Sequence, residues 1–261
     1  MDLMAELLDD LRAETASLET LLDGLRPPDW EQLTPAEGWA VRDQVSHLAW
    51  FDDAACTAAA DPAAFQALLA DLFDTGTSVD DLAVRERGRS PAELRAWFGA
   101  SRERLIGTLA PIEPRRRLPW YGIEMSAASF VTARLMETWA HGQDIADATG
   151  ATREPTDRLR HVARIGCMAL PYSFTVRGLP VPERPVRAEL ALPGGGEWTA
   201  GPPDAADVVR GPMLDFCLAV TQRIHVADTA LRITGETARA WMRIAQAFAG
   251  PPGKGREPQS G

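Results

Sequence analysis

Apolar residues recur at helical spacings through the first two thirds of this chain, and that 3.6-residue rhythm excludes most folds other than a helical bundle there. Leu7, Leu8, Leu11, Leu18, Leu21, Leu22 and Leu25 mark a first helix over Leu3 to Leu25, stopped by Pro27-Pro28. Val41 to Ala60 places Val45, Leu48, Ala49 and Ala55 on one face of a second, and Pro62 to Phe73 forms a short third element. Ser90-Pro91-Ala92-Glu93 reads as a capping box with proline at the first helical position, opening a helix that runs through Leu105 and Leu109. The segment PIEPRRRLPWYG breaks it. The longest periodic stretch runs from Ser126 to Thr149, closed by Gly150, and at helical rise spans about 36 Å.

A further helix is expected from Thr156 to Leu170, after which the texture changes. RPVRAELALPGGGEWTAG alternates apolar and polar residues around a glycine-rich turn, which predicts a hairpin. Ala206 to Val209 and Ala230 to Thr234 read as strands, Pro212 to Arg223 and Glu236 to Ala249 as helices. The fold class is therefore α+β, with a helical bundle over 1–175, a small α+β domain over 176–250 and a flexible tail over 251–261.

Composition narrows the function. With Lys+Arg 27 against Asp+Glu 37, the net charge is -10. No long basic block is present to neutralise phosphates, so nucleic acid is not an expected partner. The acidic N-terminus is unlike a signal peptide, and no uncharged run approaches a membrane span, so a cytoplasmic protein is expected. Cys56, Cys167 and Cys217 are scattered among mostly apolar neighbours, which suits core packing in a reducing compartment better than disulfides or a metal knuckle.

Only four histidines occur, His47, His141, His161 and His225. Glu137 and His141 lie four apart in the longest helix, which sets carboxylate and imidazole on one face about one turn apart. Such a pair occurs also as a plain surface pair. Here it sits in a stretch with Phe130, Leu135, Met136 and Trp139, where a buried carboxylate needs a proton or a cation. Helical bundles complete metal sites from facing helices, and His47, in GWAVRDQVSHLAW, is the natural third ligand. A His2Glu set with an open position is the pattern of catalytic zinc. Asp144, three residues past His141, is either an outer-shell brace for a ligand or a solvated helix residue. Trp120 and Tyr121, just before the longest helix, are the aromatic candidates for touching a ligand. His161 reads as a surface or interface residue, and His225 as a C-terminal cap of the preceding helix.

GWAVRDQVSHL from Gly38 to Leu48, and METWAHGQDIADATG around Glu137 and His141, resemble the metal-binding motifs of the mycothiol-dependent maleylpyruvate isomerase family, part of the DinB-like helical bundles. The C-terminal GEWTAGPPDAADVVRGPMLDFCLAVTQRI is similar to that family's small α+β domain, related in fold to sterol-carrier proteins. PWYGIEMSAASFVTARLMETWAHGQDIADATG also looks like an actinobacterial subgroup described only as metal-binding. The resemblance implies that His47, Glu137 and His141 bind zinc or another divalent metal, with mycothiol as thiol cofactor or co-substrate. It places Arg223 where the isomerases carry an arginine near the substrate, although this chain has Gln222-Arg223 where they carry Gly-Arg. A helix C-terminal cation is the other reading of Arg223.

A divalent ion with an open position brings a thiol far below its free pKa of roughly 8.5, so a thiolate nucleophile exists at neutral pH. The expected partners are thus a small thiol and a small electrophilic or carboxylate substrate. If the adduct eliminates the thiol, the protein is a cis-trans isomerase; if the adduct persists, it is an S-transferase. A thiol-independent metalloenzyme in natural-product tailoring, a non-catalytic small-molecule carrier and a structural metal are the competing readings.

Overall fold

A computed structural model describes residues 2–259. It is mixed helix and sheet and separates into two compact units, Met1–Arg153 and Glu154–Gly261. The first unit is a bundle of α1 (Leu3–Asp23), α2 (Val41–Ala60), α3 (Pro62–Thr75), α4 (Val79–Val84), α5 (Pro91–Leu109) and α6 (Ala127–Thr149). Local chemistry sets the ends. The Ser90–Glu93 capping box forms as expected, with Ser90 N–H donating to Glu93 Oε2 at 2.7 Å. Ser126 caps α6 by accepting from Ser129 N at 3.1 Å, and Gly150 ends it in the left-handed region at φ 68°.

Helix α2 is the spine of this unit, packed against both α5 and α6, while α1 covers α6. Leu18, Leu22, Val41, Val45, Leu48, Leu94, Phe98 and Ile145 close into one buried cluster drawn from α1, α2, α5 and α6. Full burial of each large side chain stabilises the bundle by about 1.5–3 kcal/mol before entropy is counted.

Two elements of this unit differ from the sequence expectation. The segment read as a break holds an antiparallel hairpin, β1 (Arg117–Trp120) and β2 (Ile123–Ser126), turned at Tyr121-Gly122 with Gly122 at φ 72°. Its strands are too short, and Pro119 too disruptive, to show alternation. Helix α4 was not expected; a Ser78–Asp81 capping box starts it.

The second unit holds α7 (Leu159–Met168), α8 (Leu170–Thr175), β3 (Val186–Ala191), β4 (Glu197–Ala200), β5 (Asp207–Pro212), α9 (Met213–Val220), β6 (Arg232–Thr234) and α10 (Glu236–Met242). Strands β3 and β4 make the expected hairpin, with Ala188 opposite Ala200. Strand β5 pairs parallel to β3, which gives the sheet order β4-β3-β5-β6. The boundary between units falls at Arg153, earlier than the expected 175, because α7 packs on α9. A Cβ at Gly166 of α7 would come within 2.7 Å of Val220 Cγ2, and Cys217 Sγ lies 3.4 Å from Leu159 O. The tail expected to be flexible is tied down over its described part: Arg177 Nη2 donates to Gly253 O at 3.1 Å, and Gln259 N to Asp228 Oδ2 at 2.8 Å. Residues 260–261 lie outside the described residues.

Candidate metal centre

His47 comes from the middle of α2, and Glu137 and His141 from adjacent turns of α6. Burial of the apolar faces brings these helices together. Glu137 Oε2 lies 3.0 Å from His141 Nε2 and 3.6 Å from His47 Nε2, and the three ligand atoms fall within 4.8 Å of one another. Ligands at zinc-like bond lengths around a tetrahedral ion stand about 3.3 Å apart, so the spacing fits one shared cation.

The protonation of His141 is set by a chain of hydrogen bonds. Trp39 O can only accept, so Thr34 Oγ1 donates to it at 2.9 Å and must itself accept from Gln44 Nε2 at 2.8 Å. That leaves Gln44 Oε1 facing His141 Nδ1, which therefore carries the proton. The Nε2 lone pair then points at Glu137. Two acceptors at 3.0 Å need a proton or a cation between them, and the residues thus fit a metal. Burial pushes His47 down to about 3 against the opposing carboxylate, so its imidazole is neutral. Burial opposes ionisation of Glu137, but its close contacts with His141 and His47 and the charge of Arg134 outweigh it and hold the carboxyl well below its ordinary range. A neutral imidazole and an ionised carboxylate are ligand forms.

The surrounding shell is aromatic. Trp39 stacks on the His141 ring at 5.9 Å, its Nε1 donating to Asp80 Oδ1 at 2.9 Å, so α4 serves to hold this wall. Phe51, one turn beyond His47, lies 4.4 Å from the His47 ring and 5.6 Å from Tyr121. At the start of α2, Asp43 accepts from Ala40 N at 2.8 Å and pairs with Arg87 at 2.6 Å, which anchors the segment carrying His47.

The other expected site residues are distributed unevenly. Tyr121 meets Phe51 at the edge of the centre. Trp120 stacks on Phe65 at 5.7 Å and meets Phe130 edge-on at 4.7 Å, as part of an aromatic wall. Asp144, read as either an outer-shell brace or a solvated helix residue, is buried on α6, and the ring nitrogens of His141 face Gln44 and Glu137. Arg223 belongs to the second unit, where Nη1 donates to Thr221 O at 2.6 Å. Gln222 before it sits at φ 61°, the left-handed region a glycine enters most easily, so the backbone suited to a Gly-Arg pair is present although the glycine is not. His161, read as a surface or interface residue, is buried on α7. His225 caps the following 3-10 turn by accepting from Ala227 N at 3.1 Å, and not the helix before it. Sequence reasoning missed Gln44, Phe51 and Arg134. The available signal for Gln44 was its place three residues before His47, on the same helix face.

The profile of the mycothiol maleylpyruvate isomerase N-terminal domain matches residues 11–146, a stretch that contains His47, Glu137 and His141. An uncharacterized protein of Mycobacterium tuberculosis, recorded in two strains, is 46% identical over 248 residues, covering 95% of this chain and 96% of its own. Crystal structures of the mycothiol-dependent maleylpyruvate isomerase and of a histidine-to-alanine mutant of it are similar in fold, with TM-scores of 0.57 and 0.56 at 18% identity, covering 84% of this chain and 89% of theirs. With a family model matched over more than half of its length, this chain belongs to the mycothiol maleylpyruvate isomerase N-terminal domain family.

Proposed function

We propose that the protein is a metal-dependent enzyme in which His47, Glu137 and His141 hold a divalent ion, with zinc expected, and a low-molecular-weight thiol, mycothiol, acts on a small electrophilic substrate. The observation that carries this reading is the convergence of three acceptor atoms, one of them fixed by the Gln44 brace, with no fourth His, Cys, Asp or Glu joining the group among the described residues. When bound, the ion supplies Lewis acidity that keeps a thiol ionised at neutral pH. Trp39 and Phe51 wall the ligands off from bulk water. Tyr121 closes the edge of the centre, and the resemblance to the isomerases makes Arg223 the candidate for holding a substrate charge. A thiol adduct that eliminates gives cis-trans isomerisation, and one that persists gives S-transfer. The family supports the thiol. The substrate decides between the two outcomes.

The test is consumption of free mycothiol by the zinc-loaded protein against a panel of small electrophiles, alongside isomerisation of unsaturated acids with catalytic thiol. Turnover that requires both metal and thiol is expected. Turnover undiminished without any thiol overturns the thiol reading in favour of a metal-only enzyme. A tightly held apolar ligand with no turnover, unchanged in His47→Ala, would point to a carrier.

A further inference from the structure

The two imidazoles of the centre share one aromatic neighbour, the Trp39 indole, whose ring centroid lies 5.2 Å from that of His47 and 5.9 Å from that of His141. Trp39 sits on the short loop leading into α2 and is 8% exposed. Its backbone is fixed by Thr34, whose N–H and Oγ1 both donate to Trp39 O, at 2.8 and 2.9 Å. Its indole is fixed from elsewhere in the chain. Nε1 donates at 2.9 Å to Oδ1 of Asp80, an exposed residue in the first turn of α4, 41 residues away in sequence.

A second tie joins the same loop to the same segment. Arg87, just past α4, donates from Nη2 to Gly38 O at 2.8 Å and pairs with Asp43 of α2. An aspartate in the first turn of a helix often does no more than complement the helix dipole. The Asp80 carboxylate does more, since it accepts the indole N–H that keeps the Trp39 ring in place. Trp39 is thus held at both ends, by Thr34 at the backbone and by Asp80 at the tip of the ring.

A chelated ion is released one ligand at a time. The Glu137 side chain is 25% exposed and has room to swing, but those of His47 and His141 are 10% and 11% exposed, with the indole packed against both rings. Either imidazole turns away only after Trp39 has shifted, and Trp39 shifts only by giving up its bond to Asp80. That bond touches no ligand atom, so it is made equally with and without an ion. A contact of equal strength in two states leaves their equilibrium unchanged, whereas one broken in passing between them raises the barrier in both directions. Resting on the metal reading above, we infer that Asp80 is a positioning residue: by latching Trp39 against both imidazoles it sets how fast the centre exchanges its ion, and not how tightly the ion is held.

Two measurements separate the latch from the metal reading. In the metal-free protein, hydrogen exchange of the Trp39 indole N–H, followed by nitrogen-15 NMR, reads the latch alone. Exchange is expected to be about tenfold or more faster in Asp80→Leu than in wild type, the weight of one hydrogen bond to a charged group. Asp80→Asn keeps an acceptor and is expected to restore most of the protection. In the zinc-loaded protein, stopped-flow release into excess chelator, and uptake in the reverse mixing, are expected to speed up together in Asp80→Leu by about tenfold. Equilibrium affinity should stay within about threefold of wild type. Faster release with unchanged uptake, and affinity weakened to match, would show a merely structural role and overturn the inference. Indole exchange equal in wild type and Asp80→Leu overturns it as well. Absence of zinc uptake by every protein, with the indole contrast intact, overturns the metal reading and with it the role in exchange, while the latch on Trp39 stands. Trp39→Phe keeps a ring and removes the donor, so it provides the same kinetic contrast if Asp80→Leu fails to fold.

Discussion

Gln44→Leu probes the metal centre without touching a ligand. Gln44 is fully buried, and its amide joins Thr34 on one side to His141 on the other. Leucine is close to glutamine in volume, so packing changes little and the perturbation is confined to hydrogen bonding. Thr34 keeps its bond to Trp39 O, while His141 Nδ1–H is left buried without an acceptor. Stranding such a donor costs about 1–3 kcal/mol, partly offset by the added apolar burial. The larger effect falls on the metal. Without the brace nothing keeps the proton on Nδ1 and the lone pair on Nε2, and loss of an outer-shell partner typically weakens metal binding by about 10–100-fold. Competition for zinc against a chromophoric chelator measures this, with thermal melts of the metal-free proteins to separate stability from affinity. Gln44→Glu keeps an acceptor toward His141 and is expected to retain most of the affinity. Zinc affinity in Gln44→Leu within about twofold of wild type would refute the brace.

The bundle is packed by its own apolar cluster, so removal of metal by a chelator should leave the far-ultraviolet circular dichroism nearly unchanged; collapse of the helical signal would mark the ion as structural. Asp52→Ala removes the carboxylate that pairs with both Arg102 and Arg134 and is expected to cost about 3–5 kcal/mol in denaturant unfolding; a loss below about 1 kcal/mol would show that the cluster is not electrostatically buried. Burial pushes the Cys56 thiol up to about 11 and Cys167 up to about 12. Both therefore stay protonated through neutral pH and become nucleophilic only as pH rises toward those values. Iodoacetamide should modify the folded protein far more slowly than the unfolded chain at pH about 7, and fast labelling would reopen an internal cysteine as the thiol.

Much of this architecture is legible because it is local. The helix over Val41–Ala60 has the expected bounds, and the Ser90 box and the Gly150 stop work as read, since periodicity, caps and left-handed glycines act within a turn of the chain. The three residues that converge at the candidate metal centre were also within reach: Glu137 and His141 by helical spacing, and His47 by the scarcity of histidine. Tertiary structure decided the rest. The pairing of β3 with β5, and of α7 with α9, depends on contacts between distant segments that leave no periodic trace. Gln44 becomes a brace for His141, 97 residues away, only because α2 and α6 pack side by side. In the sequence Arg134 is one more cation on a helix. Burial beside an already committed Asp52 leaves it short of an acceptor, and the surroundings of a charge are set by the fold and not by its neighbours in the chain.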